Sequence, residues 1–193
     1  MLVPIFALLM ACTPKLYSPP DTGSGEWSWE APVNSWPMGE PPQGLEGQGW
    51  YAGDVVPDFR LMDQNGEEVS LWQFYGKVIV LDHSTYWCAV CQTLAADVDE
   101  TWHHFGADDF MYITLLSEDN EGDVPDLEVL QSWADYFGIT APVVADDAGI
   151  AAQVVGADGF PRLQLIGRDM RMINDQIVPT DDAQIRAEVE AAL

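Results

Sequence analysis

Cys88 and Cys91, set in the run Trp87-Cys88-Ala89-Val90-Cys91, are the residues of this chain best suited to covalent chemistry. Two thiols three positions apart can close a small disulfide ring, so the pair can pass between dithiol and disulfide by exchange with another sulfur. The pair follows the continuous apolar run Lys77-Val-Ile-Val-Leu-Asp82 and precedes Val90, Leu94, Val98 and Trp102, which recur every four residues. The first pattern predicts a strand buried on both faces, and the second a helix from about Cys88. At a helix start the first sulfur meets unsatisfied backbone N–H groups and the positive end of the helix dipole, which stabilise a thiolate. Cys88 is therefore the expected nucleophile, and Cys91, one turn inward, the thiol that resolves the mixed disulfide.

The same spacing also serves half a zinc site or a haem attachment. A four-cysteine zinc site needs a second pair, which the chain lacks, and His103 and His104 are adjacent rather than spaced as a ligand pair. Haem attachment needs His after the second Cys, where Gln92 stands. No metal and no cofactor are expected, and a purely structural disulfide stays open.

The elements that must position the pair are legible on either side of it. Asp58–Asp63 and Glu68–Leu71, around Asn65-Gly66, read as a hairpin with an Asn-Gly turn. After the central strand and helix, Phe110–Leu116 reads as a strand, Leu127, Leu130, Trp133 and Phe137 as a helix face, and Val143–Ala145 as a short strand. A helical piece near Ile150–Val155 leads to a hairpin of Arg162–Ile166 and Met170–Ile173. Thr180 or Asp181 should cap a last helix with Ile185, Val189 and Leu193 four apart. The order βαβ then ββα predicts an α/β fold, one central mixed sheet flanked by helices with an N-terminal β-hairpin extension. Open α/β sheets place their active sites beyond the carboxyl ends of strands, which is where the cysteine pair falls.

Seven Lys+Arg against 32 Asp+Glu in 193 residues give a net charge of −25, a field that repels phosphate backbones. Nucleic acid is not an expected partner. The longest charge-free apolar run, Met1–Cys12, is about half the ~20 residues that cross a membrane as a helix. Within it, Leu9-Met10-Ala11-Cys12 resembles the lipobox at which bacterial lipoproteins are cleaved and acylated on cysteine. That resemblance implies a signal peptide over residues 1–11, lipidation of Cys12, export to the periplasmic or outer surface, and membrane contact through a lipid anchor alone. A plain signal peptide, or an apolar strand with an incidental Cys12, is the alternative. Residues 12–49, rich in Pro, Gly and Trp, read as a linker whose Trp27, Trp29 and Trp36 dock on the folded domain or on a partner. Residues 50–193 form the expected domain.

Within that domain Val55-Val-Pro57-Asp-Phe59, the Gly66 turn, Val69-Ser-Leu71, Gly76-Lys77-Val78, Trp87-Cys88-x-x-Cys91 and Pro161 together resemble the thioredoxin-like family. The lead-in is most similar to its exported TlpA, ResA and cytochrome c maturation branch, within the wider redoxin (AhpC/TSA-like) group. The resemblance implies a thioredoxin-like sandwich and thiol-disulfide oxidoreductase activity in the cell envelope. The implied partners are thiols and disulfides of exported proteins and an electron donor the sequence does not identify. It implies Cys88 as nucleophile, Cys91 as resolving thiol, Trp87 as part of the motif, and Pro161 as a cis-proline facing the disulfide. It also matches Asp82, six residues before Cys88, to a buried aspartate. Desolvation raises the pKa of such a carboxyl, which can then take and return the Cys91 proton, although a strand-end Asp bonded to backbone or water is the alternative.

Several positions depart from the family. Ala89-Val90 lacks the proline common before the second cysteine, Leu94 stands where relatives carry glutamate, His83 where an apolar aromatic is usual, and Phe160 precedes Pro161. Two rival functions follow from other features. Thr85, three before Cys88, with Arg162 fits a peroxiredoxin-like thiol peroxidase, although Leu81 replaces that signature's proline. The acidity and the N-terminal tryptophans fit a non-catalytic binding lipoprotein on the same fold.

Overall fold

The two longest apolar runs of the domain become its two central strands. A computed structural model describes residues 27–156 and 159–193. β1 (Arg60–Met62) and β2 (Glu68–Ser70) form a separate antiparallel hairpin. There follow β3 (Val78–Ser84), α1 (Ala89–Phe105), β4 (Phe110–Leu116), α2 (Leu127–Phe137), β5 (Val143–Ala145) and the single turn α3 (Ala151–Val154). β6 (Arg162–Ile166), β7 (Met172–Asn174) and α4 (Asp182–Ala192) complete the chain. The main sheet runs β5-β4-β3-β6-β7, with β3, β4 and β5 parallel and β6 and β7 antiparallel to their neighbours. Every residue of β3 and β4 is buried, as continuous apolar runs require of strands covered on both faces. Each of Val78, Ile79, Val80 and Leu81 is worth about 1.5–3 kcal/mol of apolar burial. This is the expected thioredoxin-like α/β architecture with its added hairpin.

Local details differ from the sequence reading, each for a physical reason. A spacing of four drifts about 40° per step around a helix of 3.6 residues per turn, so a long stripe cannot hold one face. In α1 the buried face is Cys91, Leu94, Ala95, Val98, Thr101 and Trp102, and Val90 is 52% exposed. Leu127, the first residue of α2, and Leu193, just past the end of α4, are exposed because they sit at helix ends. The first hairpin closes through a loop rather than a two-residue Asn-Gly turn. Buried Asp63 accepts the N–H groups of Asn65 (2.9 Å) and Glu67 (2.8 Å), and Gly66 takes a positive φ of 73°. In the second hairpin Met170 sits in the turn at φ 63°, so β7 starts at Met172. Asp181, rather than Thr180, caps α4 by accepting the Gln184 N–H at 2.9 Å.

The described part of the expected linker, from Trp27 to Gly49, contains neither helix nor strand and lies against the hairpin. Trp29 donates its indole N–H to Ser70 (3.1 Å), whose hydroxyl in turn donates to half-buried Asp58, and Trp36 donates to Asp63 (2.5 Å). Asn34 reaches the Glu68 carbonyl and the Gln73 side chain. Both indoles pack on the core, the docking on its own domain that such residues allow. Cys12 and the expected signal peptide lie outside the described residues. Among those residues no helix is long and apolar enough to cross a membrane.

Candidate active site

β3 ends in a short loop that turns the chain into α1, and Cys88 is the residue at the turn. The Cys88 N–H donates to the Thr85 carbonyl (3.2 Å) and the Tyr86 N–H to the Glu118 carbonyl (2.8 Å), fixing the loop to itself and to the segment after β4. Cys88 then caps α1, its sulfur accepting the Cys91 N–H at 3.2 Å while its carbonyl accepts that of Gln92. The sequence-based reading of a helix-start sulfur facing free N–H groups is thus the observed geometry. The same interaction favours a thiolate once the pair is reduced.

Cys88 and Cys91 form a disulfide, with Cα atoms 5.2 Å apart. Cys88 is 7% exposed and Cys91 fully buried, so an approaching sulfur meets Cys88 first. Two aromatic rings border it. Trp87 is 51% exposed, donates its indole N–H to Glu118 (2.9 Å), and stands edge-on to Phe160 with ring centres 6.1 Å apart. Half-buried Pro161 follows a cis Phe160–Pro161 bond at the start of β6, and the Phe160 carbonyl lies 3.7 Å from the Cys88 sulfur. Only the reduced thiol can donate to that carbonyl.

Asp82 lies in the middle of the sheet, paired in register with Thr114 on β4 and Leu163 on β6. Its side chain is buried, with Ser84 donating to Oδ1 (2.8 Å) and the Tyr112 hydroxyl 3.5 Å from Oδ2. Desolvation pushes its pKa up to about 7, against the smaller opposing effects of those two hydroxyls. Tyr112 in turn feels Asp97 of α1 and Asp182 of α4, so these helices cover the face that carries Asp82, and α1 carries Cys91.

His83 points to the other face of the sheet. Its Nε2 lies 2.9 Å from Gln164 Oε1 on β6, which makes Nε2 the donor, and burial pushes its pKa down to about 4. Arg162, opposite His83 in the β3–β6 register, directs its terminal nitrogens to Asp175 (3.7 Å) and Gln176 (3.3 Å). Thr85 is buried, its hydroxyl without a hydrogen-bond partner among the described residues, and Leu94 packs in the core. Among the described residues no cluster of three or more His, Cys, Asp or Glu is arranged to hold a metal.

The structure therefore brings Cys88, Cys91, Trp87 and Pro161 together at the carboxyl end of β3 and places Asp82 on the sheet face that α1 and α4 cover. Sequence reasoning missed Ser84, Tyr112, Gln164 and Glu118. Ser84 was accessible from strand alternation, since a residue two beyond Asp82 shares its face. The others depend on pairings between distant segments.

Fold and site define a thioredoxin-like redox domain. The sequence profile of the AhpC/TSA family matches residues 52–176, and the chain belongs to that family. Among solved structures it is similar to the thioredoxin domain of a thiol-disulfide oxidoreductase from Bacteroides vulgatus (18% identity, 72% of this chain and 96% of that one, TM-score 0.60). A thiol:disulfide interchange protein of the thioredoxin family from Chlorobium tepidum gives 16% identity over 74% and 95% of the two chains, TM-score 0.61. A secreted Mycobacterium tuberculosis disulfide oxidoreductase homologous to E. coli DsbE gives 18% over 69% and 95%, TM-score 0.55. At these identities the likeness establishes the fold. Comparison with curated protein sequences found no match.

Proposed function

We propose that the chain is a thiol-disulfide oxidoreductase that exchanges its Cys88–Cys91 pair with the cysteines of exported proteins. The observation that carries this reading is the asymmetry of the disulfide, one sulfur at the helix start and reachable from solvent, the other buried a turn inward. In the reducing direction the Cys88 thiolate attacks a substrate disulfide, forming a mixed disulfide and releasing one substrate thiolate, which takes a proton from water. Cys91 then loses its proton to the Asp82 carboxylate and attacks the Cys88 sulfur. The bond from Cys88 to the substrate breaks, and its electron pair leaves on the second substrate thiolate. The substrate gains two electrons and the enzyme ends oxidised; an electron donor of unassigned identity returns it to the dithiol. Trp87 and Phe160 flank the attacked sulfur and give an incoming peptide apolar surface.

In the same reading, residues 50–193 are the catalytic domain and residues 12–49 connect it to a lipid on Cys12, holding the enzyme at the envelope surface. Engagement of the Arg162 guanidinium by Asp175 and Gln176 weighs against the peroxidase alternative. The test is equilibration of the full chain in glutathione redox buffers with alkylation of free thiols. A reversible two-electron transition, abolished by Cys88→Ser, is expected. A wild type without a transition, or one that consumes peroxide stoichiometrically through a sulfenic acid on Cys88, would replace the reading. Labelling with a palmitate analogue that disappears in Cys12→Ser is the expected result for the anchor.

A further inference from the structure

A buried carboxyl that takes up and returns a proton must be held in both of its states, and the polar groups that approach the Asp82 carboxyl are hydroxyls. Ser84 donates to Oδ1 at 2.8 Å, and the Tyr112 hydroxyl approaches Oδ2 at 3.5 Å. Thr114, opposite Asp82 in the parallel β3–β4 pairing, has a buried hydroxyl with no hydrogen-bond partner among the described residues. The β6 partner, Leu163, is apolar. The ionisable groups facing this side of the sheet from the helices are Asp97 of α1 and Asp182 and Arg186 of α4. The Arg186 guanidinium is held by Asp182 (2.7 Å), Glu100 (3.1 Å) and Thr101 (3.0 Å). Among the described residues no cation pairs with Asp82.

We propose that Ser84 and Tyr112 are positioning residues for the exchange reaction: their hydroxyls orient the Asp82 carboxyl and set how tightly it holds the Cys91 proton. The proposal rests on the reading of Asp82 as the proton acceptor for Cys91. A hydroxyl suits this task better than an ammonium or guanidinium group. It stabilises the carboxylate by donating, yet when the carboxyl is protonated it can rotate and accept, so the geometry survives the change of state. A fixed cation would favour the ionised form so strongly that the proton would not stay. The two contacts are unequal, and the inequality divides the labour. Oδ1 is held by the short bond from Ser84, and Oδ2, loosely approached by Tyr112, is the oxygen free to take up and return the proton. During resolution the proton passes from the Cys91 sulfur to Asp82, the Cys91 sulfur bonds to the Cys88 sulfur, and the substrate sulfur leaves with the electrons of the broken bond.

The experiment compares full-length wild type, Ser84→Ala, Ser84→Thr, Tyr112→Phe and Asp82→Asn, using a disulfide-bonded model peptide as substrate. The pH profile of exchange is measured beside the ¹³C NMR titration of the Asp82 carboxyl. Loss of a hydrogen bond to a charged group moves proton affinity about tenfold or more. Ser84→Ala should therefore raise both the Asp82 titration midpoint and the inflection of the rate profile by about one pH unit. Tyr112→Phe should move them by less, and Ser84→Thr should restore them. An Asp82 titration unchanged in Ser84→Ala would overturn the proposal, as would a changed titration that Ser84→Thr leaves uncorrected. If Asp82→Asn leaves the rate profile intact, the reading of Asp82 as proton acceptor fails instead, and the NMR titrations still decide whether the hydroxyls govern the carboxyl.

Discussion

Asp82 and His83 are neighbours on β3, both buried, and they face opposite sides of the sheet. Burial disfavours the charged form of each, so it acts in opposite senses: it pushes the Asp82 pKa up to about 7 and the His83 pKa down to about 4. Both side chains are thus neutral through mildly acidic pH. Their surroundings then separate them. Asp82 lies among hydroxyls on the face covered by α1, the helix that carries Cys91. His83 is bonded to Gln164 on the far face, where Arg162 is occupied with Asp175 and Gln176. A buried titratable group is therefore not functional by virtue of its shifted pKa alone. What distinguishes Asp82 is that it shares its face of the sheet with α1, the helix that carries Cys91.

The pair also opposes itself thermodynamically, and this gives the largest expected effect. Between about pH 4 and 6.5 the unfolded chain carries an ionised Asp82 and a protonated His83, whereas the folded chain carries neither charge. Asp82, with its raised pKa, contributes stability that is complete below its unfolded pKa and lost as pH rises toward 7. His83, with its lowered pKa, contributes stability that is complete above 6.5 and lost as pH falls toward 4. Each slope is about 1.4 kcal/mol per pH unit and the signs are opposite, so the two contributions nearly cancel across that window. Asp82→Asn removes one of them. The variant should be more stable than wild type by about 4 kcal/mol at pH 8, with little difference near pH 4, as read from urea unfolding of the oxidised protein. Wild-type and variant curves that run parallel from pH 4 to 8 would break the comparison.

His83→Gln unmasks the other slope. Its stability should fall steadily from pH 4 toward 7, and relative to wild type it should gain about 3 kcal/mol on the acid side, near pH 4. Combining both substitutions should flatten the profile again, because the two side chains lie on opposite faces of β3, share no hydrogen bond, and each carries one of the two opposed slopes. The same His83→Gln variant should leave the pH inflection of disulfide exchange where it is in wild type, whereas Asp82→Asn should remove it. A shift of that inflection in His83→Gln would mean that the two faces of β3 are coupled.

Much of this arrangement could be read before any coordinates, and the parts that could not share one physical cause. The apolar runs from Lys77 and from Phe110 marked the two central strands because continuous burial leaves a local pattern. Cys88 at the helix start was legible because strand, spacing and helix adjoin in sequence. Ser84, two positions beyond Asp82, needed only strand alternation. Tyr112 and Gln164 are different: each becomes relevant through strand register, which is set across sequence separations of 30 and 81 respectively. Trp87 meets Glu118 only because the loop before α1 is tied to the segment after β4. Val90 was misplaced by a spacing that drifts around the helix, and the hairpin loop by a buried Asp63 that binds backbone N–H groups a dipeptide rule does not consider.

The smallest expected effect tests whether the His83 face is structural only. Gln164 accepts from His83 through Oε1 and donates its amide to the Trp50 carbonyl at 3.4 Å, joining β3, β6 and the segment leading into the domain. Gln164→Leu keeps the approximate volume but leaves the His83 Nε2–H buried without an acceptor, a loss of about 1–3 kcal/mol. Because His83 is neutral above about pH 4, the loss should be constant from pH 5 to 8, unlike the effect of Asp82→Asn. Exchange kinetics of the folded variant should match wild type in both rate and pH profile, since neither Gln164 nor His83 touches the disulfide. A folded Gln164→Leu protein with a displaced rate profile would show that the face opposite α1 also tunes the cysteine pair, and the distinction drawn between Asp82 and His83 would fall.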